Sequence, residues 1–383
     1  MGAYGHVRVL SIDIGPRPSG SENCRIGAEY ILNQLEHLAI DAELQEFKLR
    51  PYFWTGTALL GVLFALAIYL TYYAYPVPSF LLSVIFPLLV IFEIDKGREI
   101  ALRLFPSAVG RNVIGKEEPV ASPIHRVIIC AHHDSKTQAI PIKLRGTVIV
   151  ILFISMIYLM AGSFLHLITL FVLPEYAFFE DLIYIGILIM VLYHSFYLFL
   201  NILTRFVEPS PGAEDNAAAV GLSLELAKAI KSNPLWKTEV WFLFTDGEEI
   251  AMKGAHAFVK KYKSQLDGAW VLNLEGGGTE GPITYSTKEM SIMTAKSSEM
   301  LTKVLKDVAK QTIGVVEPMR QSTTTDGYVF SKNGLDAITI WRYKEEVREV
   351  VHTAADTIDR LDPEILDNTV DFLEEVLRYI DSS

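Results

Sequence analysis

The stretch Thr245-Asp246-Gly247-Glu248-Glu249-Ile250 follows an apolar run, Val240-Trp241-Phe242-Leu243-Phe244, that reads as a buried strand. Two adjacent carboxylates at the end of such a strand are costly unless something compensates their charge. A metal cation would do it, with one glutamate as ligand and the other as a base beside it. Taken alone, the same stretch also suits an ordinary solvated loop.

Other strands end in similar chemistry. Arg126–Ala131 (Arg-Val-Ile-Ile-Cys-Ala) is followed by His132-His133-Asp134, and Gly268–Leu274 by Glu275. Leu335–Trp341 leads through a charged loop to His352, and Asp215 is expected to open a helix running to Ser232. Ligand sites in α/β proteins gather beyond the carboxyl ends of strands, so residues far apart in sequence could converge there. Two imidazoles and three carboxylates suit a pair of zinc ions, and they tolerate other divalent transition metals.

The segments His132-x-Asp134, Gly212-Ala213-Glu214-Asp215-Asn216, Glu248-Glu249, Asn273-Leu274-Glu275 and His352-Thr353-x-x-Asp356-Thr357 occur in the order of the motifs of the di-zinc aminopeptidases. The opening Ile14-Gly15-Pro16-Arg17-Pro18-Ser19-Gly20-Ser21 is similar to the usual N-terminal turn of that family. The family also includes glutamate carboxypeptidases and, more distantly, glutaminyl cyclases. The resemblance covers about 1–49 and 111–383, apart from the apolar inserts. It implies that His132 and Glu275 bind one zinc, that Glu249 and His352 bind the other, and that Asp215 bridges both. Glu248 would be the general base, taking a proton from the water between the metals and passing it to the leaving amine. Asp134 would hold the His132 ring through its second nitrogen, and Asp356 would act similarly near His352. Glu275 departs from the family, which often has aspartate there; the longer side chain still reaches a metal. Spacing favours His132 over His133 as the ligand. Tyr328 and Tyr343 are the candidates for an oxyanion donor. Asp326 is expected in a loop at the site and His256 on a helix surface. Gly276-Gly277-Gly278 either keeps the site open or forms a tight turn.

These residues must be positioned by a chain of unusual composition. Half of its 383 residues are hydrophobic, 21% are charged, and the mean hydropathy is +0.28. That is too apolar for an ordinary soluble enzyme and too polar for a pure membrane bundle. A net charge of −11 with no basic stripe argues against nucleic acid. Two cysteines, Cys24 and Cys130, supply neither a disulfide framework nor a cysteine-rich zinc site, and Cys130 reads as a small core residue. The N-terminus carries no basic-then-apolar signal pattern.

The apolar residues are concentrated. Tyr52–Tyr75 carries no charge; Pro76-Val77-Pro78-Ser79 reads as a turn, and Phe80–Ile94 is apolar except for Glu93. Thr147–Leu173 and Leu182–Leu203 carry no formal charge and one histidine each, His166 and His194. Runs near 20 residues suit a bilayer crossing. We read four transmembrane helices as two hairpins, with the two histidines either functional or engaged in packing. The hairpin tips bear no basic residue, whereas Arg50, Lys96, Arg98, Arg103, Lys143, Arg145 and Arg205 flank the opposite ends. The positive-inside rule then predicts a multi-pass membrane protein with its catalytic domain on the cytoplasmic side. The absence of an Asn-x-Ser/Thr sequon agrees with that side.

The expected fold is α/β: a mixed, mostly parallel sheet sandwiched by helices, formed by residues 1–50, 111–145 and 206–383, with hairpins at 51–110 and 146–205. Strands are expected at Ala42–Leu49, Arg111–Lys116 and Pro282–Ser286 besides those above. Helices are expected from Ser21 to Leu38 and at Glu248–Tyr262, Glu289–Gln311 and Pro363–Ile380. Because the second hairpin leaves just after Asp134 and returns just before Asp215, a substrate arriving from or along the bilayer is expected: a peptide or a hydrophobic amide. A zinc aminopeptidase, a zinc deacylase of lipid-like amides, and a non-catalytic scaffold on the same fold are the three readings. Retention of all five ligands and the base argues against the scaffold.

Overall fold

The computed structural model describes the whole chain except residues 1, 95–99, 173–178, 292, 321–323 and 343–344. Tyr343, Lys96 and Arg98, invoked above, lie outside the described residues, as does the side chain of Lys143. The chain divides into two compact units: Met1–Pro51, Ser107–Thr137 and Glu208–Ser383 form one, and Tyr52–Pro106 and Gln138–Val207 the other.

In chain order, the described strands are β1 (Asp41–Leu49), β2 (Ala108–Glu117), β3 (His125–His132), β4 (Thr238–Thr245), β5 (Trp270–Gly276), β6 (Thr284–Met290), β7 (Thr294–Lys296), β8 (Glu317–Arg320) and β9 (Asp336–Arg342). The helices are α1 (Ala3–Arg8), α2 (Glu22–His37), α3 (Phe53–Thr71), α4 (Pro76–Ile94), α5 (Ile142–Phe171) and α6 (Glu180–Leu203). They continue as α7 (Ala219–Ser232), α8 (Lys253–Tyr262), α9 (Glu299–Gln311), α10 (Asp326–Lys332), α11 (Glu345–Arg348) and α12 (Pro363–Ser382).

The first unit is built on a sheet of order β1-β2-β4-β3-β5-β9-β6-β7, with β8 paired to β6. Its centre, β4-β3-β5-β9, is parallel. The β1/β2, β2/β4, β6/β9 and β6/β7 pairings are antiparallel and β6/β8 is parallel, so the sheet is mixed, as expected, with its longest parallel run in the middle. Central parallel strands are covered on both faces and read as continuous apolar runs, as the fully buried β4 does. Val127, Ile129, Phe242, Leu272 and Ile338 join Leu224 of α7 and Leu377 of α12 in one core. Helix starts follow side-chain chemistry: the Ser21 hydroxyl accepts from Cys24 N at 3.2 Å, and Asp362 Oδ1 accepts from Glu364 N at 2.8 Å.

Three expectations in this unit need correction. Helix α8 begins at Lys253 and not at Glu248, because Ala251 and Met252 take positive φ (71° and 53°) and close a tight turn. Glu289 and Met290 finish a strand instead of opening a helix; the buried Glu289 carboxylate accepts from Thr325 N at 2.9 Å, and α9 starts only behind the Ser298 cap. Asp215 does not open a regular helix: it and Asn216, joined by a cis peptide, are non-helical, and α7 begins at Ala219.

The second unit contains α3–α6, four helices long and apolar enough to cross a membrane, with mean hydropathies of 1.9 to 2.5. Pro76 lies at the start of α4 rather than in a turn, which a first-turn proline tolerates. Glu93 ends the apolar run by accepting from the backbone N–H of Ile100 and Ala101 at 2.5 and 2.6 Å. His194 meets Ser155 of α5 at 2.9 Å, and a Cβ added at Gly61 of α3 would lie 2.6 Å from its Nδ1. His166 stacks on Tyr72 with ring centroids 4.2 Å apart and lies 3.2 Å from Glu180 Oε1. Both histidines therefore take part in packing between helices.

Candidate metal centre

Parallel strands end at the same level, and the donors collect there. His132 is the last residue of β3, in register with Thr245 at the end of β4. Glu275 lies at the end of β5, beside Trp341 of β9. After β4 the chain turns through Gly247, whose φ of 80° suits glycine, and presents Glu248 and Glu249. His352 has a φ of 66°; a non-glycine residue held in the left-handed region costs about 1–3 kcal/mol and persists only where its surroundings fix it. Here the fixing turn includes a hydrogen bond from Thr353 Oγ1 to the carbonyl of Val350 at 2.6 Å.

The five candidate ligands meet as two groups sharing one residue. Asp215 Oδ1 lies 3.2 Å from His132 Nε2, while its Oδ2 lies 2.9 Å from His352 Nε2. Glu275 Oε2 approaches His132 Nε2 at 3.4 Å, and Glu249 Oε1 approaches His352 Nε2 at 2.8 Å. Within each group, His132–Asp215–Glu275 and Asp215–Glu249–His352, the donor atoms lie within 4.8 Å of one another. A buried cluster of three carboxylates and two imidazoles needs positive charge. Protons supply part of it. Burial alone would lower the two histidines, but Glu275, Asp134 and Asp215 hold His132 well above its ordinary range, and Glu249 and Asp215 raise His352. Glu249 is driven the other way, to about 2, because His352 and Lys136 outweigh the effect of its burial. Two dications would outweigh the three carboxylate charges by one without those protons, a remainder that a hydroxide would cancel, so the donor set fits a pair of metal ions.

Neighbouring groups fix the donors. The Asp134 main-chain carbonyl faces His132 Nδ1 at 3.0 Å, nearer than its carboxylate at 3.4 Å. A carbonyl can only accept, so Nδ1 carries a proton, and loss of the second proton, from Nε2, would leave a lone pair directed toward Asp215 and Glu275 for a metal. The Asp134 carboxylate has a further task unforeseen from sequence: it accepts from the backbone N–H of Glu248 and Glu249, both at 3.3 Å, and from Ser19 Oγ at 2.6 Å. Asp356 holds the backbone at Asp215 and lies near enough to His352 for the two charges to interact. Its carboxylate accepts from Glu214 N at 2.8 Å and Asp215 N at 3.2 Å.

Several contributors carried no sequence signal. The Lys136 ammonium binds Glu249 Oε2 at 2.9 Å, and Asn273 Nδ2 donates to Glu275 Oε1 at 3.1 Å. Buried Arg17 donates to the carbonyls of Leu10, Gly15, His133, Pro211 and Gly212, binding the N-terminal turn to the segments that carry His132 and Asp215. Glu214 is no bridge. Its carboxylate, pushed up to about 8 by burial, accepts from Gly277 N at 3.0 Å and Gly278 N at 3.2 Å. The glycine run is thus a tight turn wrapped on Glu214, with Gly276 and Gly277 at φ of 64° and 122°. His133 lies outside both groups; its Nε2 donates to Arg111 O at 2.8 Å. Asp326 is buried in the first turn of α10, bonded to Thr245, and not in a loop. His256 is half-buried in α8 rather than exposed. Tyr328 is buried in α10.

Residues 200–377 match the Peptidase family M28. The chain is 27% identical over 189 residues to endoplasmic reticulum metallopeptidase 1 of Rattus norvegicus, a match covering 46% of this chain and 20% of that protein. It is 39% identical over 74 residues to putative endoplasmic reticulum metallopeptidase 1 of Schizosaccharomyces pombe, covering 19% and 9%. The matches thus cover a fifth or less of the length of these curated relatives. In fold, the chain resembles an aminopeptidase from Aneurinibacillus sp. strain AM-1, with a TM-score of 0.60 at 16% identity over 98% of this chain and 92% of that one. The zinc aminopeptidase BSAP from Bacillus subtilis and the Fimbriiglobus ruber glutaminyl cyclase both score 0.58 at 16% identity, again covering 98% of this chain and 93% and 94% of theirs.

Proposed function

We propose that the chain is a membrane-integrated di-zinc aminopeptidase with its catalytic unit at the cytoplasmic face. One observation carries the reading: the two oxygens of Asp215 face two different histidines, each of which also faces its own glutamate. His132, Asp215 and Glu275 would hold one ion, and Asp215, Glu249 and His352 the other. Bound there, the pair would polarise the scissile carbonyl and acidify the attacking water.

The protein's own groups do the rest. Glu248 accepts the proton of the attacking water and delivers it to the leaving amine. In the metal-free site burial raises its carboxyl well above the ordinary range against the opposing effect of His132, with Glu249 and Glu275 adding to the rise. Asp134 fixes its backbone, and Lys136 fixes the outer oxygen of Glu249. The cytoplasmic assignment rests on basic flanks at the untipped ends of both hairpins. The relatives named for the endoplasmic reticulum make a membrane-associated peptide the first substrate class to test.

The test uses full-length protein in lipid nanodiscs. Peptides with a free amino terminus should be cleaved, chelation should stop cleavage, and zinc should restore it. Asp215→Ala should lose two zinc equivalents relative to the unaltered chain. Equal cleavage of N-acylated substrates would replace the aminopeptidase by an amidohydrolase, and unchanged zinc content in the variant would remove the two-ion site.

A further inference from the structure

A second donor cluster takes no part in the chemistry above. Cys24 of α2, His133 just after β3 and Asp246 just after β4 each offer one donor atom, and the three atoms lie within 4.8 Å of one another. All three residues are fully buried. His133 Nε2 faces the Arg111 carbonyl at 2.8 Å, so Nε2 carries the proton and the neutral ring keeps its lone pair on Nδ1. That nitrogen lies 3.6 Å from Cys24 Sγ. In a tetrahedral zinc site with Zn–S of about 2.3 Å and Zn–N of about 2.1 Å, the sulfur-to-nitrogen edge is roughly 3.6 Å. A thiol has one proton for two acceptors: given to His133 Nδ1 it leaves Asp246 without it, and given to Asp246 it leaves Nδ1 without a donor. Asp246 Oδ2 accepts from Arg111 N at 3.1 Å, whereas Oδ1 is buried with no hydrogen-bond partner among the described residues. An unpartnered buried carboxylate oxygen is expensive, and a cation is the usual remedy.

We propose that Cys24, His133 and Asp246 hold a third, structural zinc ion, separate from the pair at Asp215. The Zn–S bond forms as the Cys24 S–H bond breaks, its proton passing to solvent. Thiolate and carboxylate then balance the dication, leaving a neutral site suited to burial. Asp246 binding through both oxygens would complete four-coordination. The ion would fasten α2 to the ends of β3, whose last residue is His132, and β4, which leads to the Glu248-Glu249 pair.

The proposal does not rest on peptidase activity, and the experiment reads zinc directly. Full-length protein, purified in detergent without chelator, is measured by elemental analysis and zinc-edge X-ray absorption. The donors of the Asp215 site contain no sulfur, so a sulfur scatterer at about 2.3 Å reports this site alone. Expected is a sulfur shell in the unaltered chain, lost in Cys24→Ala together with one zinc equivalent and kept in Cys130→Ala. Should Cys24→Ala fail to fold, the unaltered protein still decides: zinc-loaded chain without a sulfur shell overturns the proposal. A shell that survives Cys24→Ala overturns it too.

Discussion

Replacing Glu248 by glutamine should abolish turnover, leave the metals in place and make the metal-free protein more stable. The amide keeps the side chain's shape, and the backbone N–H of residue 248 still donates to Asp134. None of the contacts among His132, Asp215, Glu249, Glu275 and His352 involves the Glu248 side chain. Loss of a general base lowers kcat by about 10²–10⁴-fold, or about 3 to 5 kcal/mol of barrier, with KM little changed. Stability moves the other way. In the metal-free site burial holds the Glu248 carboxyl well above its ordinary value of 4.5, with His132 opposing and Glu249 and Glu275 reinforcing. Between those two values the folded chain keeps a proton that the unfolded chain releases, so stability falls as pH rises through that window. Glutamine has no proton to lose, and the variant's Tm should exceed that of the parent above the window. Peptide hydrolysis, zinc content and the Tm of chelated protein across pH make the three measurements. Unchanged turnover, or zinc lost in step with activity, would refute the assignment of Glu248.

Asp356→Ala should cost about 2–6 kcal/mol in chemical denaturation, because it strips two buried backbone N–H groups of their acceptor, each worth about 1–3 kcal/mol; zinc at the Asp215 site should fall with it. Gly61→Ala would place a Cβ 2.6 Å from His194 Nδ1, and this overpacking should lower thermal stability in detergent by about 1–3 kcal/mol without altering zinc content. The pairs made by His132 and His352, whose folded values are raised, stabilise chelated protein fully below the ordinary histidine value of 6.5; that stability is lost as pH rises through the folded values. Metal binding needs the same rings neutral, so zinc should leave on acidification and the zinc-loaded protein should show the opposite Tm slope, read by calorimetry at several pH values.

Much of the scaffold was legible in the chain because its signals are local. The uninterrupted apolar run of β4, the Ser21 cap of α2 and the charge-free stretches of α3, α5 and α6 each follow from periodicity, capping or length. The short pieces were not. Met252 in a left-handed conformation closes a local turn, whereas Glu289 buried in a strand and the irregular turn at Asp215–Asn216 are held by tertiary hydrogen bonds that override local preference.

The sequence by itself determined which side chains can bind or move a proton, that each follows an apolar strand, and which four segments are long and greasy enough for a bilayer. Only the tertiary structure decided that one oxygen of Asp215 faces His132 and the other His352, that Asp356 serves the backbone beneath Asp215, and that Lys136, Asn273 and Glu214 brace the site. The division has a physical cause. Residue type and spacing along a strand are fixed by the chain, whereas the direction of the Asp215 oxygens depends on His132 and His352, both distant in sequence and brought near only when parallel strands align their ends.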